Sequence, residues 1–429
     1  MGITFTGIAN PHSIGAFGVD ANAKILQRYR FIHERLMFIS AAQLPARHNW
    51  DVKTAMGRHI YEDAEAADQL RTRVSHLRTP LANVGQEPDP TLTLLMDEIL
   101  HARTDSEWLA GVYTVIKPAL IEAYRSHIQR TQQIVDQPTI RILRSILLDL
   151  EEQVLWGEAA IAHLKNAGEW EEAGTEELCT LIKRCILAAG GMSNEMKRSS
   201  EIPERIRSFQ VYQLPKKSQR EARMGETTLY RTSMGMKFEK PNEDRLVGMM
   251  RVRQEEMTAA ELIAAVLWSQ KGMPWAFYRD LARHLWDEVR HALFGQAALE
   301  AEGLNWRSRP QYTSDYDINI EKIPSAQYAW LSIGIEEGAM KRPGKVGEFE
   351  FCRDQVKHPL MTQFQDYDWA DEVVHASFGR TWTPELFGEE LGFIREVAKH
   401  ELDHFFSEVR KAEEIAAAED ETEDSTMRY

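Results

Sequence analysis

Leu285–His291 reads LWDEVRH and Trp369–His375 reads WADEVVH, so each holds the pattern Asp-Glu-x-x-His. On an α-helix, residues three apart share a face one turn apart. Glu288 and His291 can therefore grip one cation from a single helix, and Glu372 and His375 another. Two such pairs, each joined by a glutamate from a further helix, make the ligand set of a dinuclear carboxylate site inside a four-helix bundle. Glutamates stand one helix upstream of each pair: Glu261 in AAELIAAVLW, and Glu336 and Glu337 in LSIGIEEGAM. The expected assignment gives Glu261 and His291 to one metal and His375 with Glu336 or Glu337 to the other. Glu288 and Glu372 bridge. Carboxylate oxygen and neutral imidazole nitrogen suit iron, manganese or a mixed pair of the two.

The neighbours of the two motifs have their own chemistry. A metal-bound histidine normally donates its remaining N–H to a carboxylate, which fixes the tautomer and raises basicity. Asp287 and Asp371 can do this crosswise between the two helices, with Arg290 neutralising the aspartate of the opposite helix. His284 lies one turn before Glu288 and is expected to pack or hydrogen-bond rather than to bind metal. Between Glu336 and Glu337, an internal repeat described below favours Glu336, but helical phase sets Glu337 on the apolar stripe of Trp330, Ile333 and Met340, and Glu337 is the preferred ligand. Trp286, Trp330 and Trp369 lie near the ligand positions and read as core aromatics. His358, before Pro359, marks a helix boundary.

The order Glu…ExxH…Glu…ExxH resembles the ferritin-like di-iron carboxylate proteins over about residues 244–415. DE-x-RH followed by ADE-x-x-H is similar to the pattern of the bacterial multicomponent monooxygenase hydroxylases. The resemblance implies two iron ions held between helices and activation of O₂ to oxidise a small organic substrate.

The rest of the chain is compatible with a helical architecture. Apolar residues recur at helical spacing through most of the 429 residues, and runs of alternating β-branched residues are few. Helices are predicted near 21–44, 50–78, 91–103, 105–135, 138–167 and 173–190. A second set is predicted near 244–271, 274–303, 325–341, 346–364, 366–379 and 385–418. Between the sets, residues 191–243 carry Pro203, Pro215, Gly225, Gly235 and Pro241 and read as an irregular connector. The acidic stretch 416–429 reads as a frayed tail.

The two sets repeat each other. RHIYEDAEAA (Arg58–Ala67) aligns with RHLWDEVRHA (Arg283–Ala292), Ile121-Glu122 with Ile335-Glu336, and Leu150-Glu151-Glu152 with Ala370-Asp371-Glu372. The expected fold is therefore all-α: two tandem ferritin-like bundles, 1–190 and 244–415, from an internal duplication. In the first bundle Ala66 replaces His291 and Leu155 replaces His375. Asp63 stands at the Glu288 position, and Glu34, Glu122 and Glu152 remain. It reads as a structural bundle with its acids paired to arginines such as Arg58.

A formal charge of −15 argues against a general nucleic-acid binder. Cys179, Cys185 and Cys352 are too scattered for a disulfide framework or a metal knuckle, which fits a reducing cytoplasm. The N-terminal stretch does not read as a signal peptide, and no run of about 18 apolar residues exists to span a membrane. The expected activity is that of an O₂-dependent oxidase or oxygenase. Its electrons come from a separate reductase or ferredoxin, because no Cys₄ set, flavin fingerprint or GxGxxG is present. The alternative is a metal-handling or peroxide-detoxifying protein of the ferritin, rubrerythrin or manganese-catalase kind. A homodimer is left open.

Overall fold

The structure, a computed structural model, describes residues 7–8, 10–225, 227–231, 241–307, 309–341 and 344–426, without side chains at 81–82 and 419–426. Gly235 of the connector and residues 427–429 of the tail lie outside the described residues. Helices dominate throughout, and the described strands are two short segments, Thr227–Thr228 and Gln311–Tyr312, paired in parallel. None of the described helices is long and apolar enough to cross a membrane. The chain divides into two compact units, one of residues 1–40 and 59–213, the other of 41–58 and 214–429. The connector is thus shared between the units. The stretch Ala41–Arg58 belongs with the second one, where Trp50 Nε1 donates to Gln296 Oε1 at 2.8 Å.

The first unit is built from Val19–Gln43, the later part of Trp50–Ser75, Pro90–Leu100, Lys117–Arg130, Gln137–Ala167 and Thr175–Ala188. Local signals set the ends: the Asp89 side chain accepts from Thr91 N, Thr104 accepts from Glu107 N, and Gly168 closes its helix at φ 73°. Ahead of Lys117, Ala110–Ile116 takes π-helical hydrogen bonding.

In the second unit three departures from the predicted helices matter. The helix expected over 244–271 is broken: Asn242–Gln254 and Met257–Ser269 are joined through Glu255 and Glu256. Helix Pro324–Ala329 runs into a π-helical segment, Trp330–Glu336. No break falls near residue 365: the boundary lies at His358, which was expected to mark one, since Pro359 starts a new helix and His358 Nδ1 accepts from Met361 N at 3.1 Å. The long helix Pro359–Phe387 that follows therefore carries the whole second motif without interruption. The last helix, Leu391–Thr426, continues through the acidic stretch expected to fray, whose alanines and glutamates are good helix formers. It docks on the π segment through Ala329, Ile333, Ile394 and Ala398.

Met257–Leu267 is buried on every face, as an all-round apolar helix must be. Trp275–Ala301 packs against it and also against Pro359–Phe387, and each of these motif-bearing helices has a glycine one turn beyond its motif histidine. A Cβ on Gly295 would lie 2.1 Å from Gln254 N and 2.5 Å from Met250 O. A Cβ on Gly379 would meet the Ser332 side chain at 2.7 Å. Because the atoms facing Gly295 are backbone, they cannot swing aside. We expect Gly295→Ala to destabilise the protein by about 1–3 kcal/mol, as overpacking does. Denaturant unfolding checks this, and an unchanged midpoint would contradict so close an approach.

Candidate metal centre

The two motif helices bury His284, Asp287, Glu288 and His291 from one side, and Asp368, Asp371, Glu372 and His375 from the other. The outer contacts are crosswise. His375 Nε2 lies 3.3 Å from Asp287 Oδ2, and His291 Nε2 lies 3.3 Å from Asp371 Oδ2. Arg290 Nη2 pairs with Asp287 and, at 2.8 Å, with Asp371, while Arg283 Nε donates to both Asp287 oxygens at 2.8 and 2.7 Å. Each imidazole thus has a carboxylate to accept its Nε2–H, leaving Nδ1 turned inward, where its lone pair is free once the proton that charges the ring is lost.

Carboxylates converge on those lone pairs. His375 Nδ1 is 3.3 Å from Glu288 Oε1 and 3.9 Å from both Glu336 Oε1 and Glu372 Oε2. His291 Nδ1 is 3.4 Å from Glu256 Oε2, 3.5 Å from Asp368 Oδ1 and 3.8 Å from Glu288 Oε2. Both Nδ1 atoms, with Glu256 Oε2, Glu336 Oε2 and Glu372 Oε2, are buried without a hydrogen-bond partner. Leaving buried polar groups unpaired costs about 1–3 kcal/mol each, and here several are aimed at one another. Grouped by reach, His284, Glu288, Glu336 and His375 can hold one metal ion. Glu256, Glu288 and His291, or His291, Asp368 and Glu372, can hold another, and Glu288 belongs to both positions.

Electrostatics points the same way. The inner set has four buried acids, Glu288, Glu336, Asp368 and Glu372, and the partly buried Glu256, against two Lys or Arg cations in contact with them among the described residues, Arg253 and Lys345. Without further positive charge, protons must be drawn in. Burial pushes Glu372 up to about 7, helped by repulsion from Glu336 and Glu288. Burial opposes the charge on His375, but the hydrogen bond to Asp287 and the charges of Glu336 and Glu288 outweigh it and raise the imidazole to about 10. His291 is raised as well, burial being outweighed by Asp368 first.

Two expected ligands are placed elsewhere. Glu261 is fully buried, but its carboxylate is held by Lys53 and by Arg220 at 2.6 and 2.9 Å, and it takes no part in the cluster. The break at Glu255–Glu256 brings Glu256 to His291 in its stead. Glu337 is only partly buried and pairs with Arg395 at 2.6 Å, whereas Glu336 is the inward residue. His284 hydrogen-bonds and packs as expected, and it also lies within reach of one metal position. Its Nε2 lies 2.7 Å from Glu336 Oε1 and 3.7 Å from Glu288 Oε1, and its ring stacks on His375 at 3.9 Å. It stands among the potential ligands. Glu256 and Asp368 were missing from the sequence assignment. Asp368 had a signal, since Asp368, Glu372 and His375 repeat at helical spacing on one face.

In the first unit Asp63 lies 2.7 Å from His33 Nδ1 and 3.2 Å from Lys117 Nζ. Glu34 is paired with Arg30 and Arg71. Glu122 and Glu152 are exposed. Leu155, aligned with His375, is 66% exposed, and the buried polar residue of that helix is Gln153. All groups able to hold a metal among the described residues lie in the second unit. No known family, curated protein or solved structure matches the chain.

The raised groups give the metal-free protein a pH signature. A group whose folded pKa lies above its unfolded value stabilises the fold below the unfolded value and loses that contribution as pH rises through the folded one. For Glu372 the loss runs from about 4.3 to about 7, and for His375 from about 6.5 to about 10. We expect the melting temperature of chelator-treated protein to fall from about pH 6 to 10, and saturating divalent metal, which binds the deprotonated forms, to remove most of the fall. A rise over that range without metal would contradict the arrangement.

Proposed function

We propose that the second unit is a ferritin-like bundle holding a dinuclear iron or manganese centre. In this reading the protein is an O₂-dependent oxidase or oxygenase acting on a small organic substrate. The observation that carries the metal centre is the pair of crosswise Asp–His contacts presenting two inward-facing Nδ1 atoms to shared, partnerless carboxylate oxygens. That is the outer support a metal-binding imidazole needs. His284, Glu336 and His375 would hold one ion, and Glu256, His291, Asp368 and Glu372 the other, with Glu288 between them. When bound and reduced, such a pair supplies electrons to O₂, and the protein contributes ligand geometry and exclusion of water. Asp287, Asp371, Arg290 and Arg283 keep both imidazoles in one tautomer and hold the motif helices in register. The electrons come from a separate donor, a reductase or ferredoxin.

The first unit is read as a copy that has lost its metal. Six of the eight buried positions of Gln137–Ala167 match buried positions of Pro359–Phe387 when Gln153 is set against His375 and Gly157 against Gly379. In that register Ile146 and Leu150 occupy the places of Asp368 and Glu372, and Leu155 is no longer the counterpart of His375. Asp63, opposite Glu288, is neutralised by Lys117 and His33.

We expect about two ions per chain, and loss of the dinuclear centre in His291→Ala and in His375→Ala. Elemental analysis, followed by O₂ uptake when the reduced protein meets air, tests both claims. Metal without O₂ uptake would leave the centre and remove the oxidase. Asp371→Asn, which keeps size and removes charge, should weaken metal retention or slow reoxidation about 10–100-fold with the fold intact. Behaviour like wild type would reduce the aspartate to a surface acid.

A further inference from the structure

The two metal positions differ in what already sits beside them. Among the described residues, the ion pairs of Glu288 and Glu336 are to histidines alone. The other position has two protein cations in place. Arg253 Nη1 is 2.8 Å from Glu256 Oε1 and 2.7 Å from Asp368 Oδ1. Lys345 Nζ is 3.0 Å from both Asp368 oxygens and 2.9 Å from Glu372 Oε1. Lys345 is buried, and its ammonium has three donors facing these three oxygens.

An ion entering between Asp368, Glu372 and His291 meets that ammonium on two of its own ligands. Like charges a few ångströms apart in a poorly solvated site repel strongly. Lysine can respond where arginine cannot. Its charge is a point on a flexible four-carbon stem, whereas the planar fork of Arg253 is pinned on Glu256 and Asp368 together.

We propose that Lys345 is a built-in competitor for the second metal ion. Its ammonium holds Asp368 and Glu372 until that ion displaces it, so the two positions fill in order, the one at His284, Glu288, Glu336 and His375 first. This rests on the dinuclear reading above, and the test keeps the two separable.

The full-length chain, stripped with chelator, is titrated anaerobically with Mn²⁺ alone, followed by calorimetry and electron paramagnetic resonance. Two steps are expected, the first at least about tenfold tighter, with an isolated-ion signal at one equivalent and a coupled signal at two. Lys345→Met should tighten the second step about tenfold and leave the first within about twofold. It should also lower the melting temperature of the metal-free protein, because Asp368 and Glu372 lose their counter-charge. A lysine that merely supports the fold would lower stability and metal affinity together. Lys345→Arg, which keeps the charge, should keep the second step weak. Two equal steps in the wild type overturn the proposal without any variant, and so does a weakened second step in Lys345→Met or a tightened one in Lys345→Arg. Absence of Mn²⁺ binding would remove the dinuclear centre itself, and the competitor with it.

Discussion

A buried carboxylate has to be compensated, and the way each one is compensated sorts the acids of this protein. Glu261 is as deeply buried as any inner acid, yet Lys53 and Arg220 answer its charge in full. Asp63 in the first unit has Lys117 and His33. Asp287 and Asp371 share Arg283 and Arg290. Such pairs are closed systems: removing one partner costs about 3–5 kcal/mol, but nothing is left over to bind anything else. The inner set remains open. Its five acids face two cations, and its lone pairs point at one another rather than at donors. Charge balance, more than the presence of acids and histidines, separates binding residues from structural ones here.

The same constraint explains why the aspartates sit outside and the glutamates inside. An aspartate one residue before the ExxH glutamate is turned away from that glutamate's face, toward the partner helix. Its short side chain there reaches the far imidazole and the arginines. Asp287 is held well below the ordinary carboxylate range: burial opposes this, but hydrogen bonding and attraction from His375 and the charge of Arg290 prevail. It therefore stays an acceptor throughout the neutral range. The Nε2–H of each histidine is thus engaged from outside, so Nδ1 is the nitrogen that gives up its proton when an ion arrives.

What could be read from the sequence follows from regular helical geometry. Glu288 with His291, Glu372 with His375, and the crosswise aspartates all depend on spacings of one to four residues within unbroken helices, and those spacings survive folding. Glu261 and Glu337 were chosen by extending that regularity across places where the backbone departs from it. The break at Glu255–Glu256 makes two helices of one and turns Glu256 inward. The π segment Trp330–Glu336 has more residues per turn than an α-helix, so an apolar stripe extrapolated at 3.6 residues slips by about one position. That slip is the difference between Glu337 and Glu336. Leu155 fails for a related reason, since equal residue counts across loops do not preserve helical register.

The irregularities gather at the cluster. Six of its residues come in regular sets from two long helices, His284, Glu288 and His291 from one and Asp368, Glu372 and His375 from the other. The two that complete it come singly, Glu256 from a helix break and Glu336 from the end of a π turn. A regular helix repeats a face every three or four residues, so it readily supplies sets along its axis. It cannot bring a lone carboxylate toward a neighbouring helix without also presenting the residues a turn away. A break or a π turn frees one residue from that repetition, at a cost in backbone hydrogen bonding that packing must offset. The all-round burial of Met257–Leu267 on one side and the docking of Leu391–Thr426 on the other put that packing directly against the two irregular segments.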